Sequence, residues 1–189
     1  LHGINGLMRV MLADYHSVSL GGTERLNSDG TRNVYISVSD VVNVRSRAGI
    51  TVTRSDGTEV EPSVLPADRL LSACAKNPNL NRAISLLSGG DYSWVNLYRV
   101  YEVIANHAGG EERLVDRGWT SKTMIRRFRH TANHPDAIGD GARHGALASQ
   151  PPPNPLPHNE AVTLIRSLLR NWLESEVELG ASDEAAHAT

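Results

Sequence analysis

Two hydrophobic periods divide the chain. Up to residue 65, apolar positions recur at every second residue, the period of a half-buried strand. The run Val34-Tyr-Ile-Ser-Val-Ser39 alternates most cleanly, and Val41–Val44 and Ile50–Thr53 follow less strictly. Asp56-Gly57 is a two-residue hairpin signal between 51–54 and 58–60. Asp29-Gly30 marks a second turn, in a polar loop that starts at Gly21-Gly22. Arg9–Leu20 reads as one more strand, with Val10, Leu12, Val18 and Leu20 inward. These segments predict a small antiparallel sheet or meander over 1–65.

From Pro66 the spacing changes to three and four. Leu70, Leu71 and Cys74 place a helix over Asp68–Ala75, and Leu80–Leu87 makes a second after the break at Asn77-Pro78. Ser93 is a cap for a longer helix, Trp94 to His107, whose apolar face is Trp94, Leu97, Tyr98, Tyr101, Ile104 and Ala105. Glu111–Arg117 is one short helical turn. Thr120 or Ser121 caps the next helix, Lys122 to Thr131, with Met124, Ile125 and Phe128 inward. Pro135 closes it, because the residue before a proline is pushed out of the helical region. Residues 135–158 form a long Gly-, Ala- and Pro-rich loop ending in Pro151-Pro-Pro-Asn-Pro-Leu-Pro157. Val162, Ile165, Leu168, Leu169 and Trp172 line the last helix, Glu160 to Glu176. The fold class predicted is α+β: a small N-terminal antiparallel sheet or meander, then a mainly helical bundle of about five helices. The divisions are 1–65, 66–177, and a small, polar, disordered tail over 178–189.

Composition sharpens this in three places. With 40% hydrophobic residues the chain can bury a core, and its single Phe means that the core is built mainly from Leu, Val, Ile and Ala. The net charge of −2 draws the whole molecule neither to nucleic acid nor to an anionic membrane, so any such role rests on a local patch. A lone cysteine, Cys74, excludes an internal disulfide and suits a reducing, cytoplasmic setting, as a buried and inert thiol. No apolar run approaches the roughly 20 residues of a membrane span, and the first residues lack the form of a secretory signal. The opening Leu1 is expected of a fragment or of a natural start at Met8.

Candidate chemistry concentrates between Arg126 and His144. The stretch Arg126-Arg-Phe-Arg-His-Thr-Ala-Asn-His134 holds three arginines and two histidines, and the loop adds Asp140, Arg143 and His144. On an ideal helix 126, 130 and 134 share a face, whereas Arg129 and His134 stand about 140° apart and converge only if the helix unwinds near its end. Arg129-His-Thr-Ala-Asn-His134 resembles the Arg–polar–three residues–His signature of HEPN domains, helical bundles of bacterial toxins and antiviral systems. The resemblance implies a cleft, often at a homodimer interface, that cuts RNA without metal or cofactor. His134 would then be the acid or base and Arg129 the phosphate clamp, with Arg126, Arg127, His130, Asn133, Asp140, Arg143 and His144 as RNA-binding or accessory groups. A wider pattern also resembles a group of uncharacterised bacterial proteins. It comprises Trp94-Val-Asn-Leu-Tyr-Arg-Val-Tyr-Glu102, Thr131-Ala-Asn-His134, Gly139-Asp-Gly-Ala-Arg-His144 and a Pro-rich run before the final helix.

Each element has a plainer reading. The arginines fit the solvated face of an amphipathic helix, His134 fits a helix cap, and Asp140–Arg143 fits a loop ion pair. Glu102 lies where it could pair with an arginine of the following helix. His130 and His134 have the i, i+4 spacing of helical zinc ligands, but position 131 is Thr rather than the Glu of a metalloprotease, so no metal is assigned. Two function classes follow: a metal-independent ribonuclease of a defence or toxin–antitoxin system, or a non-enzymatic module that binds RNA or an acidic protein.

Overall fold

The computed structural model describes residues 2–12, 15–19, 22–36, 52–53, 59–60, 67–145 and 149–187. The chain divides into two compact units, Leu1–His16 together with Pro66–Thr189, and Ser17–Leu65.

The molecule is mainly helical, and the α+β expectation is overturned. Among the described residues of the second unit, strand pairing is limited to two separate antiparallel ribbons. The first pairs β1 (Gly22–Leu26) with β2 (Arg32–Ile36), and the second pairs β3 (Val52–Thr53) with β4 (Glu59–Val60). Among the described residues neither ribbon adds a third strand, and β3 and β4 have two residues each, so these residues form no larger sheet or meander. Gly30, at φ 82°, turns the first ribbon, and Asp29 accepts from the Thr31 amide and hydroxyl at 2.9 and 2.6 Å. Those bonds hold the Asp29 carboxyl below its usual pKa. The segments 37–51 and 54–58, which include the Val41–Val44 strand and the Asp56-Gly57 turn, lie outside the described residues.

The predicted strand over Arg9–Leu20 is corrected as well. His2–Met11 is a helix, α1, with Gly6, Leu7 and Val10 buried, while Leu12 and Val18 are exposed. The spacing of Leu7 and Val10 serves a helix, and the Val10/Leu12 alternation was too short a window to tell the two periods apart. α1 lies on α3 (Pro78–Ser88) so closely that Gly6 has no room for a side chain. A Cβ there would stand 2.6 Å from the Ile84 carbonyl oxygen.

The remaining helices of this unit are α2 (Ala67–Lys76), α4 (Trp94–Ala108), α5 (Glu111–Asp116), α6 (Lys122–Asn133), α7 (Pro135–Ile138) and α8 (His158–His187). Local chemistry sets their ends. Asn77 accepts from the Asn79 and Leu80 amides ahead of Pro78, and Ser93 and Ser121 cap α4 and α6 in the same way. Gly109, at φ 85°, ends α4 in the left-handed conformation. α4 packs on α3, α5, α6 and α8, and α8 buries Ile165, Leu168, Leu169 and Trp172. The single Phe, Phe128 of α6, is fully buried among the rings of Trp94, Tyr98 and Tyr101, at centroid distances of 6.2, 5.9 and 5.4 Å. α8 continues through His187, across residues predicted to be a disordered tail. Cys74 is only partly buried, which is still enough to raise its thiol pKa.

Candidate functional site

Helix α6 has two faces. Ile125, Phe128, Thr131 and Ala132 point into the core. Lys122, Arg126, Arg129, His130 and Asn133, three and four residues apart, line a cleft of about 640 Å³ on the other side. Glu111 of α5, Thr123, His144 and Ser149 complete the lining.

The cleft exists because the loop after α6 folds back along that helix. The Arg143 amide donates to the Ala132 carbonyl at 2.9 Å. Arg143 then lays its guanidinium over the Tyr98 ring, 4.5 Å from the centroid, and donates to Glu102 at 3.0 Å. His130 Nε2 meets the Gln150 carbonyl at 2.9 Å, and His134 Nε2 meets the Ser149 carbonyl at 2.8 Å. The Leu156 amide donates to Thr131 Oγ1 at 2.9 Å, where both residues are buried. Arg127 fixes the Pro-rich run by donating to the Asn154 and Pro155 carbonyls at 3.0 Å each, and it also pairs with Glu160 at 3.3 Å.

This arrangement separates the two residues assigned to catalysis. Arg129 lines the cleft. His134 does not, for its side chain is fully buried and both ring nitrogens are occupied. A carbonyl only accepts, so Nε2 carries the proton given to Ser149, and Nδ1 accepts from the Asp136 amide at 3.3 Å. His134 thus ends α6 and caps α7, with no lone pair left for a substrate. The cause is local. Pro135 forces His134 to φ −102° and ψ 115°, off the helical stripe that 126 and 130 share. The 130/134 pair is not assembled for a metal either. The rings are 6.0 Å apart, and each Nε2 is taken by a carbonyl. Among the described residues, no group of three or more His, Cys, Asp or Glu side chains could hold a metal ion.

Arg129 is braced rather than free. It donates to Glu111 at 2.5 Å, and the same carboxylate oxygen accepts from the Tyr101 hydroxyl at 2.6 Å. A hydrogen bond with the Tyr98 hydroxyl raises the Arg129 pKa most, burial opposes it, and the Glu111 charge adds a smaller upward push. Burial, followed by the bond to Glu111, pushes the Tyr101 pKa well above its ordinary value. Glu111 is therefore already neutralised. Lys122, Arg126 and His144 are exposed and have no side-chain partner among the described residues. The cleft thus holds three permanent cations against one committed carboxylate.

Of the other predicted site residues, His130 and His144 reach the cleft. Asn133 reaches it too, donates to the Arg129 carbonyl at 2.9 Å, and leaves its Oδ1 buried without a partner. Arg127 and Arg143 are structural ties of the loop. Asp140 makes no ion pair with Arg143, which uses Glu102 instead. Lys122, Thr123 and Glu111 were missed. Lys122 continues the three-and-four spacing of Arg126 and Arg129, which is the signal that would have found it. No protein-family model, curated protein sequence or solved structure matches the chain. Among the described residues, no helix is long and apolar enough to cross a membrane.

Proposed function

We propose that the α6 cleft binds the phosphate backbone of single-stranded RNA. The observation that carries this is the excess of positive charge: Lys122, Arg126 and Arg129 face one hollow whose only carboxylate among the described residues, Glu111, is already paired. A hollow of about 640 Å³ lies within the range of ordinary ligand sites and suits roughly a nucleotide or two, not a duplex. The two partly or fully exposed imidazoles beside the cations add donors for phosphate or base edges. The HEPN-like spacing around Arg129 belongs to the same reading, with a cytoplasmic defence or toxin–antitoxin system as its setting. The Arg129–His134 catalytic pair does not belong to it, since His134 is committed to the fold.

Fluorescence anisotropy with a labelled ten-nucleotide single-stranded RNA tests the reading. Affinity should fall linearly on a log–log plot against salt, by about 0.7 for each phosphate neutralised, so roughly 2 for three cations. Arg126→Ala should lower that slope by nearly one contact and leave stability unchanged within about 0.5 kcal/mol. Binding that ignores salt, or that Lys122→Glu with Arg126→Glu leaves intact, refutes it. Preference for a polyglutamate peptide over the RNA would move the site to an acidic protein partner.

A further inference from the structure

We propose that the RNA strand held in the α6 cleft continues over helix α4 into a second cationic hollow, lined by Arg82 and Arg99, so that one strand occupies a single track. The inference rests on the RNA-binding reading and adds to it a path and a length.

Three hollows share their walls. The α6 cleft and a neighbouring hollow of about 430 Å³ have Arg129 and Glu111 in common. That hollow and a third, of about 290 Å³ between α3 and α4, have Glu102 and Asn106 in common. The three therefore form one run from α6 across α4 to α3. Side-chain contacts mark its course. Tyr101 and Arg129 meet on Glu111 where the first two hollows join. Arg143 links Tyr98 of the second hollow to Glu102, which the third hollow shares, at 4.5 Å from the ring centroid and 3.0 Å from the carboxylate.

Charge follows the same path. Arg82 and Arg99 are exposed and have no side-chain partner among the described residues. Among the described residues the two carboxylates of the track, Glu111 and Glu102, are both held in ion pairs, with Arg129 and Arg143. Phosphates laid along the run meet Lys122, Arg126 and Arg129, then Arg99 and Arg82. Asn106 is exposed at the crossing, without a side-chain partner among the described residues, and offers its amide to a base edge or a ribose 2′-hydroxyl. A helix with its side chains is about 10–12 Å across. A flexible single strand crosses such a ridge, whereas a duplex, stiff over about 150 base pairs, does not.

The test compares labelled four- and ten-nucleotide RNAs of one composition by anisotropy across a salt series. The short strand fills the α6 cleft alone, and its slope against salt should be about 2. The long strand reaches all five cations, and its slope should be about 3.5. Slope is the readout because, unlike affinity, it is not raised by the extra registers of a longer strand. Arg82→Ala with Arg99→Ala removes two exposed side chains without partners, so the fold should persist by circular dichroism. The double variant should return the long strand to a slope of about 2 and weaken it about 25-fold at about 0.1 M salt, with the short strand unchanged within about twofold. Lysine at both positions should restore the slope, since a phosphate contact reads charge. Slopes that agree between the two lengths within one contact, about 0.7, overturn the track and leave the α6 reading standing. A double alanine variant that keeps the long-strand slope, or that weakens both strands alike, overturns it as well. Neither strand bound removes both readings. A polyglutamate peptide that binds more tightly than the long strand, and weakens in the same variant, overturns RNA as the occupant in favour of an acidic protein.

Discussion

Replacing His134 by alanine separates a structural imidazole from a catalytic one. The ring is fully buried, donates to the Ser149 carbonyl at 2.8 Å and accepts from the Asp136 amide at 3.3 Å. Each neutral hydrogen bond of this kind is worth about 1 kcal/mol net, and the second is also the cap of α7. Truncating a buried side chain leaves a cavity, and large-to-small core substitutions cost about 2–5 kcal/mol. Ser149 is exposed, so water can satisfy its carbonyl once the ring is gone, which trims the loss. The expected destabilisation is about 3–5 kcal/mol. Urea unfolding followed by circular dichroism measures it. With a slope of about 2 kcal/mol/M, the midpoint should fall by roughly 1.5 M or more. A shift below about 0.25 M would mean that the two bonds and the buried ring carry almost no stability, and the structural assignment of His134 would fail. The Arg126→Ala variant is the reference, because it loses an exposed side chain with no ion pair.

Two further substitutions probe the frame around the cleft. Gly6→Ala should lower stability by about 1–3 kcal/mol and strip hydrogen-exchange protection from α1, because the new Cβ meets the Ile84 carbonyl at 2.6 Å and its Cγ2 at 2.7 Å. Gly3→Ala, with nothing within 4 Å, should instead stabilise α1 by up to about 1 kcal/mol, and equal gains from both would refute the close approach. Tyr101→Phe should cost about 1–2 kcal/mol at neutral pH through the lost bond to Glu111. It should also flatten the alkaline limb of stability. The folded tyrosine keeps its proton while the unfolded one releases it near pH 10.0, so wild type loses about 1.4 kcal/mol per pH unit above that point from this group. Urea titrations at several alkaline pH values check this, and an unchanged slope in the variant would contradict the raised pKa.

The sequence by itself determined the helices with strong caps and a wide apolar stripe. Asn77-Pro78, Ser93, Ser121 and Gly109 are local signals, and each acts on amides or carbonyls within a few residues. Those bonds form whatever the rest of the chain does, so α3, α4 and α6 were legible. The concentration of cations along α6 was equally legible, because a helix repeats its faces every three or four residues. Tertiary structure decided what those cations face. Whether Arg127 is a solvated cation or a tie of the Pro-rich run depends on carbonyls 27 and 28 residues away. Arg129 is fixed by a carboxylate 18 residues earlier, and His130 and His134 by carbonyls 20 and 15 residues later. α1 was hidden for a related reason. Its face is short, and segments far along the chain, α3 and α8, make Gly6, Leu7 and Val10 an inside. A helix period states which residues share a side, but burial and hydrogen-bond partners are supplied by distant segments. That is why the arginine stripe was visible in the sequence, while the removal of His134 from it became clear only in the folded loop.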